Sequence, residues 1–169
     1  MESRQYILDQ FNFNRAYALA LTQDVPDALF ASGAGPGLEN HPAWTLGHLM
    51  MGAWHVQRGF GHKPELPEGW RAIFDRKGPG DPTLPADGPY PDREAITAAY
   101  LQQHQQVEAL IANASEEDWN SPLKWRFETY FPSKGHMAAF MCIQHETMHL
   151  AQLSAWRRAQ NLPSAFKEL

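Results

Sequence analysis

Apolar side chains at Ile7, Phe11, Ala18 and Leu21 recur at three- and four-residue steps between about Ser3 and Thr22, which predicts a first amphipathic helix. Asn14 is the polar exception on that stripe. Asp24-Val25-Pro26 and the glycine-rich run from Ser32 to Gly37 end it. A second helix is expected from His41-Pro42, with Asn40 or His41 as its cap and proline in the favoured first turn. It would carry Trp44, Leu46, His48, Met51, His55 and Arg58 before Gly59 and Gly61 stop it. A third pattern starts near Asp92, with Glu94 complementing the helix dipole, and runs through Ile96, Tyr100, Val107, Leu110 and Ile111. Ser115 to Asp118 reads as an acidic turn, and Trp119 to Phe131 as a packed loop or a brief extended piece. A fourth helix is expected from the cap Ser133 to about Ala159, ended by Asn161 and Pro163. No strand-like alternation occurs, so the pattern predicts an all-α fold of four helices.

Seven prolines and six glycines fall between Gly59 and Pro91, a density that forbids a long helix there. Only Glu68 to Phe74 can make a helical turn. A connection beyond about 15 residues is unusual in a compact domain and needs a reason. Parallel second and third helices supply one, because the chain must then travel the length of the bundle. Residues 1–169 are expected to form one domain with one long crossover.

Hydrophobic residues make up 43% and charged residues 20%, values of an ordinary globular chain. The net charge of -5 argues against nucleic acid and anionic membrane surfaces as partners. The amphipathic N-terminus does not resemble a signal core, and no run of roughly 18 apolar residues offers a membrane span. The single Cys142 cannot form an internal disulfide. A cytoplasmic protein is expected.

His145 and His149 are four residues apart among strong helix formers, which stacks both rings on one helical face where a divalent ion can bridge them. Two imidazoles leave such an ion short of ligands. His48, in the middle of the second helix and beside Gly47, is the candidate third ligand, with the glycine allowing another helix to approach. Histidines also fall at 41, 55 and 62, but His55 is two turns from His48, roughly 10 Å along the axis, which makes it a rim residue. Cys142 lies one turn before His145 and is either a fourth ligand or a buried thiol. Gln144 or Gln152 could orient a ligating ring, and Trp44, Trp70, Trp125 and Tyr130 are candidates for the mouth of the site. Glu146 is the tentative catalytic base if it faces the site, and otherwise a solvated or supporting carboxylate.

His145-Glu146-Thr147-Met148-His149 also satisfies the HExxH pattern of zinc peptidases. The metzincin extension is absent, with Gln152 and Ala155 where glycine and histidine are required, and Glu168 lies in a short tail unsuited to supply a third ligand. A peptidase is therefore the weakest reading. A metal-dependent enzyme acting on a small molecule leads, and a bundle whose ion is only a structural staple, or a dimerising scaffold, is the alternative class.

The pairing of His41-Pro42-Ala43-Trp44-Thr45-Leu46-Gly47-His48-Leu49 with the stretch from His145 to Ser154 resembles the DinB/YfiT-like metalloenzyme family of the DinB superfamily. The resemblance spans nearly the whole chain. It implies a four-helix bundle in up-down-down-up order, with the long crossover between the second and third helices. It also implies a metal triad at His48, His145 and His149. Thiol S-transferases and thiol-dependent isomerases occur in that family, so a low-molecular-weight thiol is an expected substrate. A homodimer is the expected assembly because helical bundles often pair through exposed helix faces. Imidazole ligands suit zinc, nickel, copper and iron, so three histidines do not select the ion; zinc, nickel or iron is the expectation.

Overall fold

The computed structural model describes residues 2–76, 85 and 88–169. The expected crossover therefore lies partly outside the described residues, at 77–84, 86 and 87. Every regular element among the described residues is helical, with an isolated bridge between Pro122 and Ser133 the nearest approach to a strand. The long helices are α1 (Glu2–Thr22), α3 (Pro42–Gly59), α5 (Arg93–Asn113) and α8 (Glu146–Ala159). Short helices α2 (Asp27–Phe30), α4 (Trp70–Phe74), α6 (Glu116–Asn120) and α7 (Lys134–Ala139) join them, and a 3₁₀ turn follows at Ala165–Glu168.

Local chemistry accounts for the boundaries. The His41 side chain caps α3 by accepting from the Trp44 N–H at 3.3 Å, and Pro42 occupies the first turn, where its missing N–H costs nothing. The acidic stretch after Ser115 forms α6, because Ser115 accepts from the Asp118 N–H and three carboxylates sit in the first turn. The expected turn is thus a short helix. Ser133 caps α7 in the same manner. The fourth expected helix is continuous in direction but not in winding. Between α7 and α8 the chain widens into a π-helical turn at Phe140–His145.

Two apolar clusters hold the helices together. One gathers Ala18 and Leu21 of α1, Leu46, Leu49 and Met50 of α3, Ile96 and Tyr100 of α5, and Leu150, Leu153 and Trp156 of α8. The other joins Phe11, Val56, Phe60, Val107, Ile111, Met137 and Cys142. Each fully buried Leu, Ile or Met side chain contributes about 1.5–3 kcal/mol. The ends are tied by ions. Arg4 near the start of α1 binds Glu116 at 2.8 Å, beyond the end of α5. Arg93 at the start of α5 meets Asp27 at 3.0 Å. Arg157 of α8, 2% exposed, donates to the Leu21 carbonyl at 2.8 Å and to Asp24, whose carboxyl that guanidinium holds below its usual range. At Gly59 a Cβ would lie 2.4 Å from the Met137 methyl, so α3 and α7 meet there. No helix among the described residues is long and apolar enough to cross a membrane.

Candidate metal centre

His48 rises from the middle of α3, while His145 closes the π-turn and His149 follows one turn into α8. One ring nitrogen from each lies within 4.8 Å of the other two. The His145 and His48 Nε2 atoms are 3.3 Å apart, close to the edge of a tetrahedron built on bonds of about 2.05 Å. The three rings are mutually adjacent, with centroids 4.6 to 5.2 Å apart.

Hydrogen bonds to the outer nitrogens set which face of each ring is free to ligate. His48 Nδ1 lies 2.9 Å from the Phe74 carbonyl, which can only accept, so Nδ1 carries the proton and the Nε2 lone pair is available. Gln152 Oε1 accepts from Asn40 at 2.8 Å and stands 3.1 Å from His149 Nδ1, which places the His149 proton on Nδ1 likewise. Of the two glutamines expected to orient a ring, Gln152 does so. His145 differs, because its buried Nδ1 has no partner.

Burial holds all three imidazoles neutral. It lowers His48 despite the opposing Phe74 carbonyl. Burial, reinforced by the neighbouring rings, pulls His145 down to about 2 and His149 to about 3. Neutral imidazole is the ligating form. Two lone pairs facing each other across 3.3 Å repel unless a proton or a cation lies between them, and the donor set suits a divalent ion.

The backbone around the rings is cut to fit them. At Gly52 a Cβ would stand 3.2 Å from His145 Cε1 and Nδ1, so this glycine supplies the space the ring occupies. At Gly47 a Cβ would fall 2.2 Å from the Phe74 ring. The close approach expected beside His48 is therefore that of α4, whose last residue seats its ring on Gly47 and presents its carbonyl to His48. Trp44, 2% exposed, stacks on His48 at 4.6 Å and 10°, and meets His149 edge-on at 5.6 Å. Trp70 acts one step back, against Phe74. Trp125 packs with Phe127, Phe131 and Phe140, and Tyr130 is 77% exposed.

The remaining candidates are placed as follows. Cys142 is fully buried in the second apolar cluster, outside the histidine group, and burial pushes its thiol well up. Glu146, 2% exposed, is also outside that group; its Oε2 has no partner, and burial raises its pKa well above the usual range despite the opposing influence of Asn14. His55 bonds Asp75 at 3.0 Å on the rim, and His104 is stacked on Phe11 in the core. His136 meets the Ser133 hydroxyl at 2.7 Å, and His62 follows α3 in an exposed position.

Asn14 has a role that periodicity alone did not disclose. Its side chain crosses from α1 to donate to the Cys142 carbonyl at 3.1 Å, within the π-turn, where carbonyls fall out of the regular α-helical ladder. A polar residue on an apolar stripe was the available signal. Phe74 left none, since its contribution to the site is a main-chain carbonyl.

No curated protein matches the chain, and no solved structure does. The family model of the DinB superfamily matches residues 10–153, a span that contains all three histidines, Gly47, Gly52 and Trp44. With that match and this cluster of imidazoles, the chain belongs to the DinB superfamily.

Proposed function

We propose that this protein is a metal-dependent enzyme acting on a small molecule, of thiol S-transferase or hydrolase type, in which His48, His145 and His149 hold a divalent zinc, nickel or iron ion. The observation that supports it is the convergence of three neutral imidazoles, from α3 and from the π-turn and α8, with their ligand nitrogens within 4.8 Å of one another. An ion held by neutral ligands keeps its positive charge, and so lowers the pKa of a thiol or water and polarises a substrate oxygen. The protein's own groups prepare that chemistry. The Phe74 carbonyl and Gln152 hold the protons of His48 and His149 on Nδ1, and Trp44 walls one side with an apolar face. Glu146 remains the candidate base and would work from the interior, alongside Asn14; Glu146→Gln tests that role.

The same reading includes the up-down-down-up order of α1, α3, α5 and α8. In support, Arg4 joins the start of α1 to the end of α5, Gly59 at the end of α3 meets Met137 before α8, and Arg157 joins the ends of α8 and α1. A homodimer in the cytoplasm completes it, to be tested by sedimentation and by fractionation. Against a structural staple, apolar clusters already join the helices without an ion. Against a peptidase, the described residues offer no strand to pair with a peptide.

The decisive experiment is metal analysis of the purified protein and of His48→Ala, His145→Ala and His149→Ala, followed by thiol-consumption assays with electrophile panels. Each variant should lose the ion, and chelation should leave a folded, inactive protein. Full occupancy in all three variants refutes the centre. Normal occupancy without turnover on any panel refutes the enzyme.

A further inference from the structure

The wide turn that ends on His145 is held from outside its own helix. In regular α-winding the Cys142 carbonyl would accept from the Glu146 N–H, but that N–H donates to the Ile143 carbonyl instead. The Cys142 carbonyl, on a residue 1% exposed, accepts from the Asn14 side chain at 3.1 Å. The same Asn14 nitrogen stands 3.5 Å from the Thr147 hydroxyl. One carboxamide on α1 thus engages the chain both before His145 and after it. Asn14 is itself 6% exposed on the buried stripe of α1, where an amide is costly unless it is hydrogen-bonded.

What these bonds protect is a register. Before the turn α7 is pinned, since at Gly135 a Cβ would fall 2.4 Å from the Trp119 ring and at Gly59 one would fall 2.4 Å from the Met137 methyl. After the turn α8 is pinned by Leu150, Leu153 and Trp156 in the core and by Arg157 on the Leu21 carbonyl. Regular winding through the same residues would rotate one pinned part against the other by about 100°, the angle of a single residue. His145 stands at that junction, and metal bonds tolerate only about 0.2 Å of displacement. Unlike His48 and His149, His145 has no hydrogen bond on its outer nitrogen, so the placement of its ring falls to the backbone that carries it.

We propose that Asn14 is a positioning residue of the metal centre, which fixes the wide turn through the Cys142 carbonyl and so sets the His145 imidazole against His48. The inference rests on the metal-enzyme reading and adds α1, which supplies no ligand, to the machinery of the site. A polar side chain on an otherwise apolar stripe acts here on a ligand 131 positions further along the chain.

The test uses the full chain, with cobalt(II) affinity read by competition against a chromophoric chelator and the stability of each metal-free protein by urea unfolding. Asn14→Leu fills the same space without a donor. Arg4→Ala serves as the control, because it loosens α1 from Glu116 without touching the turn. Asn14→Leu should stay folded without metal and bind cobalt about 10–100-fold more weakly than the wild type, the cost of a ligand whose support is lost. Arg4→Ala should bind cobalt within about twofold of the wild type, as a remote and independent site does. Wild-type affinity in Asn14→Leu overturns the proposal while the metal centre stands. An equal loss in Arg4→Ala overturns it too, because affinity would then follow general stability. Where Asn14→Leu does not fold, Asn14→Ala is read against the same limits, and failure of both to fold makes Asn14 a builder of the fold and overturns the proposal. A wild type that takes up no cobalt removes the metal reading and this inference together.

Discussion

Replacing Gly52 with alanine should separate the stability of the fold from the grip on the ion, because the first should hold while the second weakens. The added Cβ would lie 3.2 Å from His145 Cε1 and Nδ1 and 3.4 Å from the Met141 methyl. Comfortable carbon contacts begin near 3.6 Å, so the imidazole must retreat by about 0.4 Å. Without an ion that ring is held only by packing and by its Nε2 contact with His48 at 3.3 Å, since its Nδ1 is unpartnered, and Met141 is flexible. Alanine in a helix interior is favoured over glycine by about 0.5–1 kcal/mol, which offsets the local crowding. The metal-free variant should therefore melt within a few degrees of the wild type. Metal bonds tolerate only about 0.2 Å of displacement. A misplaced ligand of this kind costs about 10–100-fold in affinity, or roughly 1.4–2.7 kcal/mol. Thermal melts followed by circular dichroism in excess chelator give the first quantity, and competition against a chromophoric chelator gives the second. An unchanged metal affinity at unchanged stability would show that His145 does not ligate from this position.

Gly47→Ala should behave differently, since its Cβ would fall 2.2 Å from the Phe74 ring: it should destabilise by about 1–3 kcal/mol even without metal, measured by urea unfolding. Arg157→Ala removes the donor to Leu21, Asp24 and Pro163, and should cost about 2–4 kcal/mol in the same assay; a change below half a unit would deny the network a role. His41 gives a pH signature. Burial lowers it to about 4 against an ordinary 6.5, so the folded state favours the neutral ring. Its contribution is complete above pH 6.5 and is lost as pH falls toward 4, amounting to about 2 kcal/mol at pH 5. His41→Asn keeps a capping acceptor without that titration, so the stability lost between pH 7 and pH 5 should shrink by about 2 kcal/mol, and an undiminished loss contradicts the assignment.

Periodicity and punctuation made the helical inventory readable. The three- and four-residue recurrence from Ile7 to Leu21, Pro42 after a capping His41, and Ser133 ahead of the last helix all correspond to observed elements. These are nearest-neighbour effects, set by side chains and backbone groups within one turn of each other. The pair His145 and His149 was legible for the same reason. His48 could be proposed only as a residue of suitable type, and the fold brings it within reach of the pair.

What the chain's order of residues settled, then, is where helices begin and end and which of them carry imidazoles, because those depend on contacts a few residues long. The rest depended on groups remote in sequence. Phe74 sets the tautomer of His48 through a carbonyl, which every residue possesses and no side-chain pattern marks. Cys142 and Glu146 lie close in sequence to His145 and His149 yet outside the cluster, with Asn14 bound to the Cys142 carbonyl and Glu146 buried, and the π-turn shifts the register between Phe140 and His145. A single extra residue in a turn redirects every side chain around it, and that choice is made by what packs across the bundle rather than by the turn itself.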